Sequence, residues 1–264
     1  MNADIFIPAR LDSKRLPEKH LLQINGKPIL KYLIERLQTS KKIRNIIVCT
    51  TNSPTDEPLV NFLEHESIMY FRGSENDILD RFLKTATKYD TDIIVDVEGD
   101  DFFTDPLYVD KIVSEMQNTD VDFITGNSSS ESFDSNSGFP HGLVPMGIRT
   151  KALKKICQLK ITNNTETGYK EFFMIPNLFK CKYLFPESKI TFPENLRLTI
   201  DYKEDFELAK KIISELGNDF NFSKLLELFQ QQPDLFSIVD PVIDKWKKNY
   251  QKNIPDLSLN PDYK

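Results

Sequence analysis

Residues 4–50 read DIFIPARLDSKRLPEKHLLQINGKPILKYLIERLQTSKKIRNIIVCT. An apolar strand, DIFIPA, runs into a long polar loop. PILKYLIERLQTS then sets Ile29, Leu30, Leu33, Ile34 and Leu37 on one helical face, and Pro28 suits the first turn. IRNIIVCT follows as a continuous apolar run, the pattern of a strand covered on both faces. The order strand, helix, strand predicts parallel pairing, because a parallel neighbour needs a crossover long enough to hold a helix.

Outward from this unit the alternation continues. DILDRFLKTATKY reads as a second amphipathic helix, and DIIVDVEGD as a buried strand ending in acid. DPLYVDKIVSEMQN is a third helix with Asp105 as its N-cap, and VDFITG is a further strand. This predicts an α/β fold with a doubly wound, mostly parallel sheet and helices on both faces. Asn127 to Ser137, NSSSESFDSNS, reads as a polar, flexible loop. The stretch 138–185 breaks the simple alternation. NLRLTID restores a strand, and YKEDFELAKKIISEL a helix. After Asp234 the pattern weakens to one short helix near VIDKWKKNYQK and a tail. The expected organisation is one domain over 1–233, followed by a C-terminal helix and tail over 234–264.

The chain has 264 residues and a formal net charge of −6, with 39% hydrophobic and 28% charged residues. That length suits one large domain. An acidic balance argues against general nucleic-acid binding, which favours basic surfaces. No apolar run approaches the ~20 residues that cross a bilayer. The N-terminus lacks the cationic-then-apolar pattern of a secretion signal. Cys49, Cys157 and Cys181 form no metal-binding spacing, and Cys49 and Cys181 read as core residues. A soluble, cytoplasmic protein with neither nucleic-acid nor membrane partners is expected.

Against that acidic background, the loop after the first strand concentrates Arg10, Lys14, Arg15 and Lys19. In doubly wound sheets, ligands bind outside the carboxyl ends of the strands. Arginine grips phosphate oxygens in a fork and lysine adds a point charge, so this loop suits a polyphosphate. No glycine-rich phosphate motif is present. A solvated charged loop has the same composition, and only the position favours a ligand. Asp100 ends a buried strand at the same edge, beside Glu98 and Asp101. Asp201 ends another strand and precedes a helix. Asp100 alone also reads as a turn or cap residue, and Asp201 alone is most simply an N-cap. Together they suit one Mg²⁺, which takes one or two carboxylates plus phosphate oxygens. Arg72, Ser74 and Asp77 lie in a turn that opens a helix carrying Arg81. Helix capping and nucleotide contact are both open there. His141 is a lone loop histidine, either structural or in contact with substrate.

These stretches, taken in order, resemble a known family. IPARLDSKRLPEKHLLQINGKP is similar to the opening motif of the cytidylyltransferases that activate acidic sugars, and is nearest to their spore coat polysaccharide (SpsF-type) branch. FRGSENDILDR, VEGDDFFTDP and NLRLTIDYKEDFELA resemble that branch's later motifs. The resemblance runs from about Ile5 to Ala209. It implies a nucleotide-diphospho-sugar transferase fold (GT-A-like), CTP as substrate, Mg²⁺ as cofactor and a homodimer. By motif match, Ala9, Arg10, Ser13, Arg15 and Lys19 would hold the triphosphate. Arg72, Ser74 and Asp77 would lie near base and ribose, and Asp100 and Asp201 would bind metal. Arg15, Lys19 and Asp100 would carry catalysis.

Three places depart from the pattern. Phe102 stands where the family carries proline, Tyr202-Lys203 replaces Thr-Pro, and Met146 replaces an acidic residue. TETGYKEFF, within the segment expected to build the acceptor pocket or the dimer interface, matches no sugar-acid signature. The resulting expectation is transfer of CMP from CTP to a sugar acid or related acceptor, with release of pyrophosphate, in surface polysaccharide or glycoconjugate synthesis. A sugar-1-phosphate nucleotidyltransferase using CTP or GTP is the alternative. A glycosyltransferase on the same fold fits less well, because EGDD is a poor substitute for a DxD metal motif. A nucleotide-binding module without turnover is a further alternative.

Overall fold

A computed structural model of the chain describes residues 1–126, 139–186, 192 and 196–260. The elements among them, in chain order, are β1 (Ala3–Pro8), β2 (Gln23–Ile24), β3 (Lys27–Pro28), α1 (Ile29–Leu37), β4 (Asn45–Thr51), α2 (Glu57–His65), β5 (Tyr70–Gly73) and α3 (Ile78–Tyr89). Then come β6 (Ile93–Asp96), α4 (Pro106–Asn118), β7 (Phe123–Thr125), β8 (Met146–Arg149), α5 (Thr150–Leu159) and β9 (Cys181–Tyr183). Three helices close the chain: α6 (Lys203–Leu216), α7 (Phe222–Gln231) and α8 (Asp240–Lys252).

Seven strands form one sheet in the order β5-β4-β1-β6-β8-β7-β9. Only β8 runs against its neighbours, so the sheet is mostly parallel as expected. Alternation along β1 explains the two covered faces. Ile5 and Ile7 pack with Leu33 of α1, Leu63 of α2 and Ile112 of α4. Phe6 points the other way, into a cluster with Phe82 of α3 and Leu153 and Ile156 of α5. A third cluster gathers Phe102, Phe103 and Leu198 with Leu208, Leu225 and Val242 of α6, α7 and α8. At about 25 cal/mol per Å² of apolar surface buried, these faces are the main source of stability.

Capping sets the helix starts. Asp77 accepts from the Asp80 backbone at 3.2 Å, and Asp105 accepts from Leu107 at 3.0 Å. The second Asp105 oxygen takes the Phe222 amide at 3.0 Å, which ties α7 to the start of α4.

Several expectations need correction. Helix α2 lies between the first two helices read from sequence, and α7 precedes the C-terminal one. Both are short and amphipathic, and each follows a turn that masks its start. Among the described residues, 196–201 of the NLRLTID segment build no strand of the sheet. In its described part, Arg197 makes a single bridge to His141. Cys49 is fully buried, but Cys181 sits half-buried on edge strand β9. The polar stretch 127–137 lies outside the described residues. Among the described residues, no helix is long and apolar enough to cross a membrane.

Candidate active site

The first loop leaves β1 at Pro8 and is pinned early, where the Leu11 amide donates to buried Asp56 at 2.8 Å. Its far end turns back through Lys19 and His20, both buried. His20 Nδ1 lies 3.2 Å from the Gly99 carbonyl oxygen. Gly99 is required there. A Cβ on it would stand 2.8 Å from the His20 ring and 2.9 Å from the Pro8 carbonyl oxygen. This close approach brings the EGDD turn against the end of β1. Phe102, in the proline position of the family motif, anchors the turn from behind by packing edge-on to Phe103 at 5.0 Å and Tyr32 at 6.0 Å.

Asp201 arrives by backbone pairing. The Leu198 amide donates to the His141 carbonyl at 2.7 Å, and the Ile200 amide to the Asp100 carbonyl at 2.9 Å. Gly142, at φ +84°, permits the crossing, since a Cβ would meet the Leu198 carbonyl oxygen at 2.2 Å. Asp205 then accepts from the Asp201 amide at 3.0 Å and the Tyr202 amide at 2.8 Å, while pairing with buried Arg197 at 2.5 Å. Asp205 therefore caps α6, and the Asp201 carboxylate, its Oδ2 3.8 Å from Arg197, turns its other oxygen to the loop.

It faces cations. Lys19 Nζ donates to Asp100 Oδ2 and, at 3.0 Å, to Asp201 Oδ1, and Arg15 donates to the same Asp201 oxygen. Burial alone would raise the Asp201 pKa, but Lys19 and Arg15 outweigh it and hold the carboxyl well below its usual range. Burial likewise opposes the Lys19 ammonium, and Asp100 and Asp201 hold it protonated above its ordinary value. Uncompensated buried charge costs several kcal/mol, so this pairing is a condition of folding as well as of chemistry.

These groups line one cavity of about 490 Å³ at the carboxyl ends of β1 and β6. Ala9, Arg10, Ser13, Arg15, Lys19, Asp100, Asp201 and His141, all singled out from sequence, share its wall. Arg10 lies 3.4 Å from Glu166, which also pairs with buried Arg81. Ser13 Oγ accepts from the Leu16 amide at 3.3 Å and shapes the loop. The Tyr202 ring lies 5.5 Å from the Arg15 guanidinium and 5.7 Å from that of Arg197. Its aromatic face supplies what a Thr-Pro pair would not. His141 is half-buried, its ring 4.8 Å from that of Trp246, and burial with nearby Lys170 and Arg197 pushes its pKa down to about 3.

Arg72, Ser74 and Asp77 do not line the cavity. Arg72 turns back to the Thr51 and Ser53 carbonyls, at 3.0 and 3.2 Å, and to Glu57 at 2.6 Å. Ser74 accepts from the Asp77 amide at 3.2 Å. Asp77 is buried, bonded to Lys160 and Thr165. Their motif builds the helix that delivers Ile78 and Arg81 to the wall, so its chemistry is capping.

Other wall residues lie beside or outside the motif positions assigned a role. Asp96 and Tyr169 meet at 2.6 Å, with Glu98 3.4 Å from the same hydroxyl. Burial first, and then neighbouring carboxylates, raises Glu98 to about 8, and burial raises Asp96 to about 7. Met146 completes this wall without adding charge to it. Lys170 and the α8 residues Trp246, Asn249, Tyr250 and Asn253 form another part. Lys170 falls in TETGYKEFF, within the segment expected to build the acceptor pocket, whereas the α8 residues fall in a stretch read only as a short C-terminal helix.

The carboxylates fit a hard cation. Asp100 and Asp201 each place an oxygen on one shared cation position, occupied by the Lys19 ammonium. Among the described residues no cluster of three or more His, Cys, Asp or Glu forms a self-sufficient metal cage. Two carboxylates are what Mg²⁺ uses when substrate phosphates and water complete its shell.

Sheet order and the crevice at the strand ends together define the nucleotidyltransferase α/β fold. Residues 5–234 match the family model described as cytidylyltransferase, and the chain belongs to that family. It is 33% identical to the uncharacterised protein MJ1063 of Methanocaldococcus jannaschii over 91% of this chain and 95% of that one. It is 28% identical to the spore coat polysaccharide biosynthesis protein SpsF of Bacillus subtilis, over 89% and 97%. A cytidylyltransferase structure from Leptospira borgpetersenii superposes with a TM-score of 0.78 at 29% identity, over 89% and 97% of the two chains.

Proposed function

We propose that this enzyme transfers CMP from CTP to a sugar acid or related acceptor, releases pyrophosphate and depends on Mg²⁺. The convergence of Arg10, Arg15 and Lys19 with Asp100 and Asp201 in one cavity carries the reading. An acceptor oxygen attacks the α-phosphorus of CTP, and where that oxygen is a hydroxyl its proton passes to water. The bond from that phosphorus to the α–β bridging oxygen breaks, and its electrons leave with pyrophosphate. Arg10 and Lys14 bind the triphosphate from the loop, and Ser13 keeps that loop in shape. Arg15 and Lys19 stabilise the charge that grows on the leaving pyrophosphate, as fixed cations do in other phosphoryl transfers. Asp100 and Asp201 would hold Mg²⁺, which when bound offsets triphosphate charge and aligns it for in-line displacement.

The kinship with SpsF supports a role in making surface polysaccharide or glycoconjugate. A cytoplasmic location and a homodimer belong to the same proposal. Light scattering should give twice the 30.6 kDa chain mass, and a monomer at working concentration refutes the dimer. The main test is pyrophosphate release from each of the four NTPs with Mg²⁺ and a panel of sugar acids and sugar phosphates. Release specific to CTP and a sugar acid supports the reading. Release with GTP and a sugar 1-phosphate favours the alternative, and cleavage of a supplied nucleotide sugar without any release refutes both.

A further inference from the structure

Part of the cavity is not accounted for by nucleotide chemistry. It is formed by Lys170 and by α8, which begins after residue 234, where the family match ends. Lys170 is only 9% exposed, and it lines the cavity. Lys14 of the wall is exposed to water, and the other cations there pair with carboxylates: Arg10 and Arg81 with Glu166, Arg15 and Lys19 with Asp201. Lys170 forms no ion pair or hydrogen bond with any described residue, and its ammonium stands 5.9 Å from the Tyr250 ring centroid. Burial pushes its pKa down, and the charges of Glu171, Glu98 and Asp101 recover part of that from a distance. A buried ammonium without a counter-ion is costly, and an incoming anion supplies what is missing.

The surface beside this cation is aromatic. The Tyr250 ring is half-buried at the wall, with Trp246 behind it at 5.9 Å and a 33° tilt. His141 packs on Trp246. Asn249 adds an amide that can donate and accept. An anion-binding group next to an aromatic face suits a ligand that carries charge at one end and a flat, weakly polar ring face.

We propose that Lys170 and the cavity face of α8 form the acceptor subsite. The Lys170 ammonium binds a carboxylate or phosphate of the acceptor, and the Tyr250 ring, backed by Trp246, covers one face of its sugar ring. This rests on the cytidylyl-transfer reading above, and it assigns specificity to residues outside the four motifs.

Saturation-transfer NMR with 3-deoxy-manno-octulosonate, N-acetylneuraminate, glucuronate, glucose 1-phosphate and uncharged glucose tests it, with and without a non-hydrolysable CTP analogue and Mg²⁺. At least one anionic sugar should bind the wild type and glucose should not. The preferred member tells carboxylate from phosphate. Lys170→Met should weaken that binding about tenfold or more, Lys170→Arg should restore much of it, and Tyr250→Leu should weaken it severalfold. Calorimetry should find CTP affinity in these variants within about twofold of wild type. Circular dichroism identifies any variant that fails to fold, and the Arg variant then carries the comparison with Tyr250→Leu. Anion binding untouched by Lys170→Met overturns the proposal. So does equal binding of glucose, absence of binding by every sugar, or loss of CTP affinity in step with the sugar. Lys170-dependent sugar binding with no CTP binding at all overturns the transfer reading and leaves the subsite standing.

Discussion

Lys19 stands where the carboxylates of Asp100 and Asp201 meet, and the site's behaviour follows from that ammonium. Substituting Asp100→Asn keeps the volume and a hydrogen-bond acceptor but removes one of two charges on the shared cation position. Turnover should fall by about 10²–10³, equivalent to roughly 3–4 kcal/mol in the barrier, while the chain still folds because Asp201 continues to pair with Lys19. Steady-state pyrophosphate release checks this, and near-normal turnover removes Asp100 from the metal site. A second expectation concerns His20. Burial, and then the Lys19 charge, lowers its pKa from 6.5 to about 4. A histidine depressed on folding binds fewer protons in the native state than in the unfolded one across that interval. Stability should therefore be intact above pH 6.5 and lost as pH falls toward 4, by about 3 kcal/mol in the limit. Urea titrations of wild type and His20→Gln at several pH values should show a shallower acid slope in the variant. Parallel slopes would show that His20 does not contribute.

At the scale of elements, the site is a meeting of three turns, and their close approach depends on missing side chains. The EGDD turn rests on β1 because Gly99 offers no Cβ to the His20 ring or the Pro8 carbonyl. Backbone crowding cannot be relieved by a rotamer change. Gly99→Ala should destabilise by about 1–3 kcal/mol and lower turnover by withdrawing Asp100. Chemical denaturation and pyrophosphate release, measured on the same preparation, test both parts. Unchanged values of both would mean the turn shifts freely. The same scale shows why the 71–81 motif left two uses open. Arg72, Ser74 and Asp77 are residue types that serve equally as nucleotide ligands or caps, and spacing does not distinguish the two uses. Their partners Glu57, Thr165 and Lys160 come from elsewhere in the chain and decide for capping.

For the whole molecule, net charge and local charge differ in sign. A chain of net charge −6 carries a cationic rim over a crevice that also holds Asp96, Glu98, Asp100, Asp101 and Asp201. A nucleotide triphosphate with a divalent cation offsets both sets at once. CTP with Mg²⁺ at about 100-fold over its Kd should stabilise the fold by roughly 2.7 kcal/mol, which raises the thermal midpoint by several degrees. CTP without Mg²⁺ should shift it less. Differential scanning fluorimetry reads both, and no shift at any concentration would argue against a preformed nucleotide site.

The sequence by itself determined the doubly wound sheet, the strand ends at which chemistry collects, and the loop residues from Ala9 to Lys19 that reach the cavity. These properties are local: apolar period, capping residues and charge density are written over stretches of ten to twenty residues. The tertiary structure decided which distant groups share the site. Asp201 reaches Asp100 through two backbone bonds and the Arg197–Asp205 pair, across a hundred residues of chain. Lys170 and Tyr250 come to the same cavity from segments far apart in the chain, and neither segment's pattern says that the two meet. Convergence of this kind depends on which surfaces pack together, and packing is a property of the whole core that no short stretch encodes.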